Sequence, residues 1–192
     1  MKKILTASAL ALVIATTGNF TLVASAQAAD KQKIEERKKR KTQIVGERTG
    51  KKVAKAFELY SADQLQEAIE VLREVKPSKA FDKAYVARFI ANMYAAQDGK
   101  ANLAIKHLKE AIAPDVLSFA DHAQAMRLLA DLYTQEKQYK NAIKGYEDWM
   151  EFTGEEDPQV YLRIANSYFE LKQLDKVIAP ADRGIKISEK PL

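Results

Sequence analysis

The two histidines, His107 and His122, are the side chains whose type best suits metal binding or proton transfer near neutral pH. A helical metal site needs ligands at a fixed spacing, such as the two histidines of a His-x-x-x-His pair. Neither histidine stands in such a pair or in a Glu-flanked motif, and the two are predicted to lie in different helices. We therefore expect surface or partly packed imidazoles and no metal site.

Other residue types that could do chemistry lack the spacing that the chemistry needs. The stretch "VGERTGKK" (45–52) has neither the spacing of a phosphate-binding P-loop nor a preceding strand. The acidic run at 155–157 lies in a predicted turn, and no Ser-centred nucleophile elbow is present. The chain has no Cys, which excludes disulfides, thiolate metal sites and a cysteine nucleophile. We predict a protein that is not an enzyme and that has no cofactor.

The first residues predict export. Lys2 and Lys3 form a short positive start, the uncharged apolar run "ILTASALALVIATT" follows, and "ASAQAAD" (24–30) offers small-residue cleavage sites. These are the three parts of a cleavable signal peptide, which we place at residues 1–28, with an uncleaved anchor as the alternative. The apolar run is shorter than the roughly 20 residues of a membrane span. We expect the mature protein in the periplasm.

The basic charge is concentrated in one segment. Of the formal net charge of +5, residues 31–52 hold +7, from ten Lys or Arg against three Glu. Residues 1–30 add +1, so residues 53–192 have a net of −3. We interpret residues 29–52 as a basic linker or helical extension. A periplasmic segment meets little nucleic acid, so we expect no nucleic-acid partner; Lys31–Lys52 could give a weak contact with an anionic membrane.

From residue 53 onward the apolar residues recur at helical spacing, and the pattern repeats. The stretches "FIANMY" (89–94), "LLADLY" (128–133) and "RIANSY" (163–168) align, and "VAKAFELY" (53–60) is a weaker copy. Each unit has a first small residue and a second small or apolar one, at Ala56 and Ala68, Ala91 and Ala104, Ala130 and Ala142, and Ala165 and Val177. A period near 34 residues with two helices per unit is typical of tetratricopeptide repeats (TPR).

We therefore predict an all-α fold, a TPR superhelix of about four helix-turn-helix repeats that follows the signal peptide and the basic segment. The array covers residues 53–192, with units at about 49–82, 83–118, 119–157 and 158–192. We expect buried core residues in the third unit at Ala130, Tyr133, Tyr139, Ala142 and Tyr146. Asp157, followed by Pro158, is a candidate helix N-cap, and either Ser118 or Asp121 could cap the first helix of the third unit.

The first helix of each TPR unit lines the groove where partner peptides bind. Counting from the first small residue of each unit predicts which residues lie on this surface. They are Tyr85, Arg88, Asn92, Gln124, Arg127, Asp131, Gln159, Asn166 and Phe169. Asn92, Asp131 and Asn166 recur at one offset, where they could hold the backbone of an extended peptide. We predict this set as the partner-binding site.

Three features leave alternatives open. Arg88, Asn92 and Arg163 fit a clamp for a C-terminal carboxylate, but other groove positions depart from that pattern, so a clamp is not predicted. Trp149, the only tryptophan, either fills a gap before "EFTGEED" or marks an interface. No polar capping helix follows the last unit, so we expect that further repeats follow or that an apolar face pairs with another molecule.

The chain also resembles a particular family. The stretches "VGERTGKKVAKAFELYSADQLQEAIEVL", "YEDWMEFTGEED" and "VYLRIANSYFELKQLDKVIAPADRGI" are similar to the periplasmic TPR protein associated with TonB-type energy-transduction systems of Gram-negative bacteria. The likeness covers about residues 44–190. It implies an accessory role in which the protein binds components of a TonB, ExbB and ExbD complex and supports iron (siderophore) uptake.

The residues alone support a broader set of functions. A periplasmic TPR scaffold that binds envelope proteins is the first hypothesis, and a TPR adaptor for outer-membrane or cell-wall assembly proteins is the second, because the fold does not separate them. A peripheral membrane protein held by its basic segment is a third. The sequence leaves the oligomeric state and the identity of the partner open.

Overall fold

The structure is a computed structural model that describes residues 31–188. The chain divides into a unit of residues 1–38 and a unit of residues 39–192. In the first unit, residues 31–38 form helix α1, where Gln32 Nε2 donates to Glu36 Oε1 at 3.0 Å, one helical turn away. The predicted signal peptide at 1–28 lies outside the described residues. Among the helices that are described, none is long and apolar enough to cross a bilayer.

The second unit is built from sequential pairs of helices. They are α2 (Glu47–Ser61), α3 (Leu65–Arg73), α4 (Ala80–Ala95), α5 (Ala101–Ile112), α6 (Phe119–Gln135), α7 (Tyr139–Thr153), α8 (Pro158–Glu170) and α9 (Ile178–Ser188), with a 3₁₀ turn at Leu174–Lys176 before α9. We call α2, α4, α6 and α8 the A helices and the others the B helices. Each pair packs against the next, and residues 31–188 contain no strand. The all-α repeat architecture predicted from the sequence is confirmed.

The small residues of the repeat lie where the two helices of a pair meet. Those at Ala56, Ala68, Ala91, Ala104, Ala130 and Ala142 are fully buried. In the third pair the two helices lie close together at Gly145, where an added Cβ would lie 3.0 Å from the Ala130 Cβ. Since α6 and α7 come this close, a side chain at that position would force the helices apart.

The rings of the third repeat divide between core and edge. Tyr146 is fully buried and Trp149 is buried, both in a cluster with Val160 and Ile164 of the next repeat. Tyr133 and Tyr139 are only half-buried, so the prediction that the repeat-spaced rings are mostly buried is confirmed for Tyr146 and only partly for these two. The cluster ties the third repeat to the fourth through apolar contact.

Three of the four turns between A and B helices repeat the same backbone geometry. Asp63, Lys137 and Lys172 each have a φ near +60° at the end of their A helix. In each turn the next residue, a glutamine, donates its backbone N–H to a carbonyl in the last helical turn, as in Gln138 N to Tyr133 O at 2.8 Å. This pattern closes a helix with a left-handed residue, a position that glycine usually occupies.

The predicted helix start at Asp157 is confirmed, and of the two candidate caps for α6, Ser118 and Asp121, the cap is Ser118. The Asp157 carboxylate accepts from the backbone N–H of Gln159 at 2.7 Å, and Pro158 follows in the first turn of α8. Ser118 Oγ accepts from the Asp121 N–H at 3.2 Å. These caps fix where α6 and α8 begin and therefore where their side chains lie on the surface.

Candidate protein-binding groove

The A helices lie side by side along the array, and their shared surface, which we call the A-helix face, carries ion pairs from one repeat to the next. Arg88 of α4 lies with Nη2 2.9 Å from Asp121 Oδ1 of α6, and its Nη1 donates to Gln124 Oε1 at 3.5 Å. The same guanidinium carbon lies 5.6 Å from the centre of the Tyr85 ring. Arg88 therefore joins the second repeat to the third.

Arg127 makes the equivalent connection between the third and fourth repeats. It precedes Ala130 by three residues, as Arg88 precedes Ala91, and its Nη1 donates to Asp157 Oδ2 at 2.7 Å. Burial by itself would raise the pKa of Asp157, but the bonds from Arg127 and from the backbone outweigh it and hold that pKa below its ordinary value. The carboxylate that caps α8 is thus also an inter-repeat ion-pair partner.

Asp131 is held by contacts within the chain. Its Oδ1 accepts from the Tyr146 hydroxyl at 2.7 Å and lies 3.6 Å from Nη1 of Arg163 on α8. Burial, followed by the hydrogen bond to Asp131, raises the pKa of Tyr146 to about 12. The carboxylate therefore links α6 to both the B helix of its own repeat and the A helix of the next.

The sequence-predicted groove residues fall into two groups in the structure. Arg88, Gln124, Arg127 and Asp131 are the members of the inter-repeat contacts just described. The remaining polar members are exposed on the A helices, namely Asn92, Gln159 and Asn166. Tyr85 is half-buried in a row of rings, 5.9 Å from Phe81 and 6.4 Å from Phe89 between centroids, and Phe169 is exposed.

A cleft of about 230 Å³ lies between α2 and α4 on this face. It is lined by Phe57, Tyr60, Phe89, Asn92 and Met93. Phe57 and Tyr60 are 57% and 44% exposed, which is unusual for aromatic side chains so close together. Neither ring was predicted from the sequence to lie in the groove, although Phe57 follows Ala56 at the same offset at which Asn92 follows Ala91.

Part of the basic segment is tied to the array. The Arg40 guanidinium donates to both carboxylate oxygens of Asp115, at 2.9 and 3.0 Å, and to the Leu117 carbonyl at 3.1 Å. Further on, both oxygens of the buried Asp82 carboxylate accept from the Gly46 N–H, which precedes α2. Residues 40–46 thus run across the second repeat as a strap rather than a free linker.

Basic side chains also gather on α2. Arg48, Lys51, Lys52 and Lys55 line a shallow surface together with Glu47. Lys51 Nζ lies 2.7 Å from Glu47 Oε1, and Lys52 Nζ lies 3.0 Å from Glu74 Oε2. Exposed pairs of this kind contribute little to stability, and they reduce the net positive charge that α2 presents.

The histidines lie in different helices, as predicted. His107 of α5 stacks on Tyr94, with 5.8 Å between ring centroids, and its Nδ1 lies 2.9 Å from Glu110 Oε2. His122 of α6 is buried and stacks on Phe152 at 4.6 Å. Within residues 31–188, no group of three or more His, Cys, Asp or Glu side chains is placed to hold a metal ion.

Comparison with solved structures identifies the fold. A crystal structure of MamA matches with a TM-score of 0.59 at 16% identity, over 92% of this chain and 97% of that chain. The nearly identical TPR-like repeats of a putative Podosopora anserina kinesin light chain match with a TM-score of 0.55 at 18% identity, over 76% of this chain and 77% of that chain. No family model and no curated protein matches the sequence. The chain has the fold of a TPR solenoid.

Proposed function

We propose that this protein is a non-catalytic TPR scaffold that holds an extended segment of a partner protein along the A-helix face. The observation that carries the proposal is the cleft between α2 and α4, where Phe57 and Tyr60 are exposed beside the Asn92 amide. An apolar side chain of the partner would occupy the cleft, and the amide would bond to its backbone. Aromatic side chains that surround a small cleft are typical anchors of peptide recognition.

The charges along this face define the chemistry of the partner. Arg88, Arg127 and Asp131 are engaged in contacts between repeats, and Arg163 lies beside Asp131. The exposed polar groups that remain along this face include the amides Asn92, Gln159 and Asn166. The segment that fits is therefore an internal, uncharged stretch with an apolar anchor, since a terminal carboxylate would have to displace Asp121, Asp131 or Asp157 from its arginine.

The cellular setting of the proposal rests on the sequence. The signal-peptide pattern at residues 1–28 supports a periplasmic location, and the family resemblance supports an accessory role in a TonB, ExbB and ExbD system for iron uptake. On this basis we propose that the partner segment belongs to an envelope protein of that system. A partner among outer-membrane or cell-wall assembly proteins is the alternative.

Site-specific photocrosslinking in cells tests the proposal. A benzophenone amino acid replaces Phe57 in the cleft, and the matched control carries it at Leu103, an exposed apolar residue of the B helix α5. Cells grow in iron-poor and iron-rich medium, and crosslinked proteins are identified by mass spectrometry. We expect position 57, and not position 103, to capture a TonB-complex component, more strongly under iron limitation.

Two other results of the crosslinking experiment would contradict part or all of the proposal. Capture of only outer-membrane or cell-wall assembly proteins at position 57 would support the peptide groove and would contradict the TonB role. The protein would then be an adaptor for envelope assembly. Equal capture at positions 57 and 103 would show that the cleft has no role in recognition and would overturn the groove itself.

A further inference from the structure

The strap has no helix or strand of its own, and its last two residues contact the beginning of α4. Val45 packs against a buried cluster that includes Phe81 of α4 and Leu117. The next residue, Gly46, donates its backbone N–H to the buried Asp82 carboxylate. An added Cβ at Gly46 would lie 2.8 Å from Asp82 Oδ2, so any other residue there would push the carboxylate away. The strap is therefore a segment of the chain docked as a peptide on α4.

A row of three rings leads from this end of α4 to the cleft. Phe81, Tyr85 and Phe89 follow one another at intervals of four residues, with 5.9 and 6.4 Å between successive ring centroids. Phe81 belongs to the cluster against which Val45 packs, and Tyr85 packs against the same cluster. Phe89 lines the cleft. The strap and the cleft thus lie at opposite ends of one ring row on one side of α4.

A partner segment anchored in the cleft has this row as its apolar continuation. Toward α6 and α8 the face carries amides and ion pairs instead, whereas Tyr85 lies one helical turn from Phe89 on the side of the strap. The eight residues from Phe89 back to Phe81 span about 12 Å of helix, which about four residues of an extended chain cover. A partner segment that follows the row therefore meets the strap.

The strap is held by few contacts, most of them polar. Arg40 supplies the bonds to Asp115 described above. In the part of the chain that the structure describes, no backbone group of residues 41–45 bonds to another backbone group. Ile44 is 90% exposed, so Val45 is the apolar side chain through which the strap packs on the fold. A segment with so little buried apolar surface opens at a much lower free energy than the whole fold.

We propose that the strap is an autoinhibitory segment of the peptide groove. When it is closed, it covers the Phe81 end of the ring row, and when it opens, the partner segment can occupy the row from the cleft to Phe81. An apolar side chain of the partner then takes the place of Val45. The role assigned to the strap rests on the proposed groove, because it regulates how tightly that groove binds. Since the partner binds fully only to the open form, its apparent affinity falls with the open fraction, and any change that opens the strap raises it.

Photocrosslinking in cells from position 57 tests this role in two strap variants. Arg40→Gln breaks the bonds to Asp115, and Val45→Ser removes the apolar contact without a change of charge. The measured quantity is the yield of the protein that position 57 captures in the wild-type background, relative to the amount of the chain in the cells. We expect each variant to raise this yield by about threefold or more. A strap that only stabilised the fold would leave the yield unchanged or lower it.

Two control variants separate opening of the strap from other effects. Lys41→Gln removes the same charge as Arg40→Gln, at the exposed neighbouring residue. Lys140→Gly, at an exposed position within α7, weakens the fold away from the strap. We expect neither control to raise the yield at position 57.

An unchanged or lower yield in Arg40→Gln and Val45→Ser, with position 57 still capturing more than position 103, would overturn the autoinhibition and leave the groove intact. A rise in only one of the two strap variants, or an equal rise in either control, would also overturn it. Equal capture at positions 57 and 103 in every background would instead overturn the groove, and the role of the strap with it.

Discussion

The Arg127 guanidinium carbon lies 4.9 Å from the centre of the Trp149 ring, while Nη1 of the same arginine donates to Asp157 at 2.7 Å. Trp149 is buried and packs with Val160 of the next repeat. The ring therefore fills the space before the fourth repeat and supports the arginine that links to it. From the sequence, Trp149 could either fill a gap before "EFTGEED" or mark an interface. The buried position of its ring agrees with the first of these roles.

The first prediction concerns the charge on Asp157. Asn is as good an N-cap as Asp, so Asp157→Asn retains the cap and removes the ion pair. Because the folded-state pKa of Asp157 is lowered, its contribution is present above the ordinary pKa near 4 and is lost as pH falls through the folded pKa. We expect the variant to be less stable by about 1 kcal/mol at pH 7, and we expect this difference to shrink as the pH falls below about 4. Urea unfolding of both proteins at a series of pH values between 7 and the acidic limit measures this difference in the free energy of unfolding.

A constant difference between wild type and Asp157→Asn at every pH would contradict this prediction, because the interactions of the Asp157 charge with Arg127 and with the backbone N–H groups weaken when the carboxylate is protonated. The fluorescence of Trp149, the only tryptophan, reports on the same contact. Its emission should shift to longer wavelength in the variant if Arg127 leaves the ring.

The second prediction concerns Tyr146 at alkaline pH. Its pKa is raised to about 12 in the folded state, above an ordinary value near 10, so its contribution is fully present below pH 10 and is lost as pH rises toward 12. Wild type should lose about 1.4 kcal/mol from this group between pH 9 and 11, whereas Tyr146→Phe should not. The variant should be about 1 kcal/mol less stable at pH 8 because the bond to Asp131 is lost.

The comparison is made by urea unfolding at pH 8 and pH 11. The other tyrosines and the lysines titrate in both proteins, so their effects cancel in the difference. If the difference in the free energy of unfolding between wild type and Tyr146→Phe is the same or larger at pH 11 than at pH 8, the raised pKa of Tyr146 is contradicted.

The third prediction uses the turn after α6. Lys137 has a φ of +57°, a conformation that costs an L-residue about 1 kcal/mol and glycine almost nothing. Lys137→Gly should therefore stabilise the fold by about 0.5 kcal/mol after the larger chain entropy of glycine is subtracted. Lys140→Gly, at an exposed position within α7, should destabilise it by about 1 kcal/mol. Thermal unfolding of the two variants should show shifts of opposite sign.

The repeat and much of its core could be predicted from the sequence because they depend on spacing along the chain. Ala91 and Ala130 mark the helix crossings, and both are fully buried. It was harder to predict which polar residues of the A helices are free to contact a partner. In the sequence, a polar residue exposed to solvent cannot be told from a polar residue that pairs with the next repeat. The ion pair between Arg127 and Asp157 depends on the packing of α6 beside α8, which the sequence does not show directly. Phe57 was missed because the first repeat is the weakest copy.

The last prediction concerns the strap at residues 40–46, which charge counting alone could not locate. Arg40 bonds to Asp115 and to the Leu117 carbonyl, and its side chain is largely shielded from solvent. Arg40→Gln should lower the free energy of unfolding by about 2 kcal/mol, because charge-assisted bonds of this kind each contribute more than a neutral one. Lys41→Gln, at the exposed neighbouring residue, removes the same charge and should change stability by less than about 0.5 kcal/mol. Hydrogen exchange of the Gly46 amide, which donates to Asp82, should accelerate in Arg40→Gln and not in Lys41→Gln. Equal effects of the two variants would mean that residues 40–46 are held by net charge rather than by the Arg40 contacts.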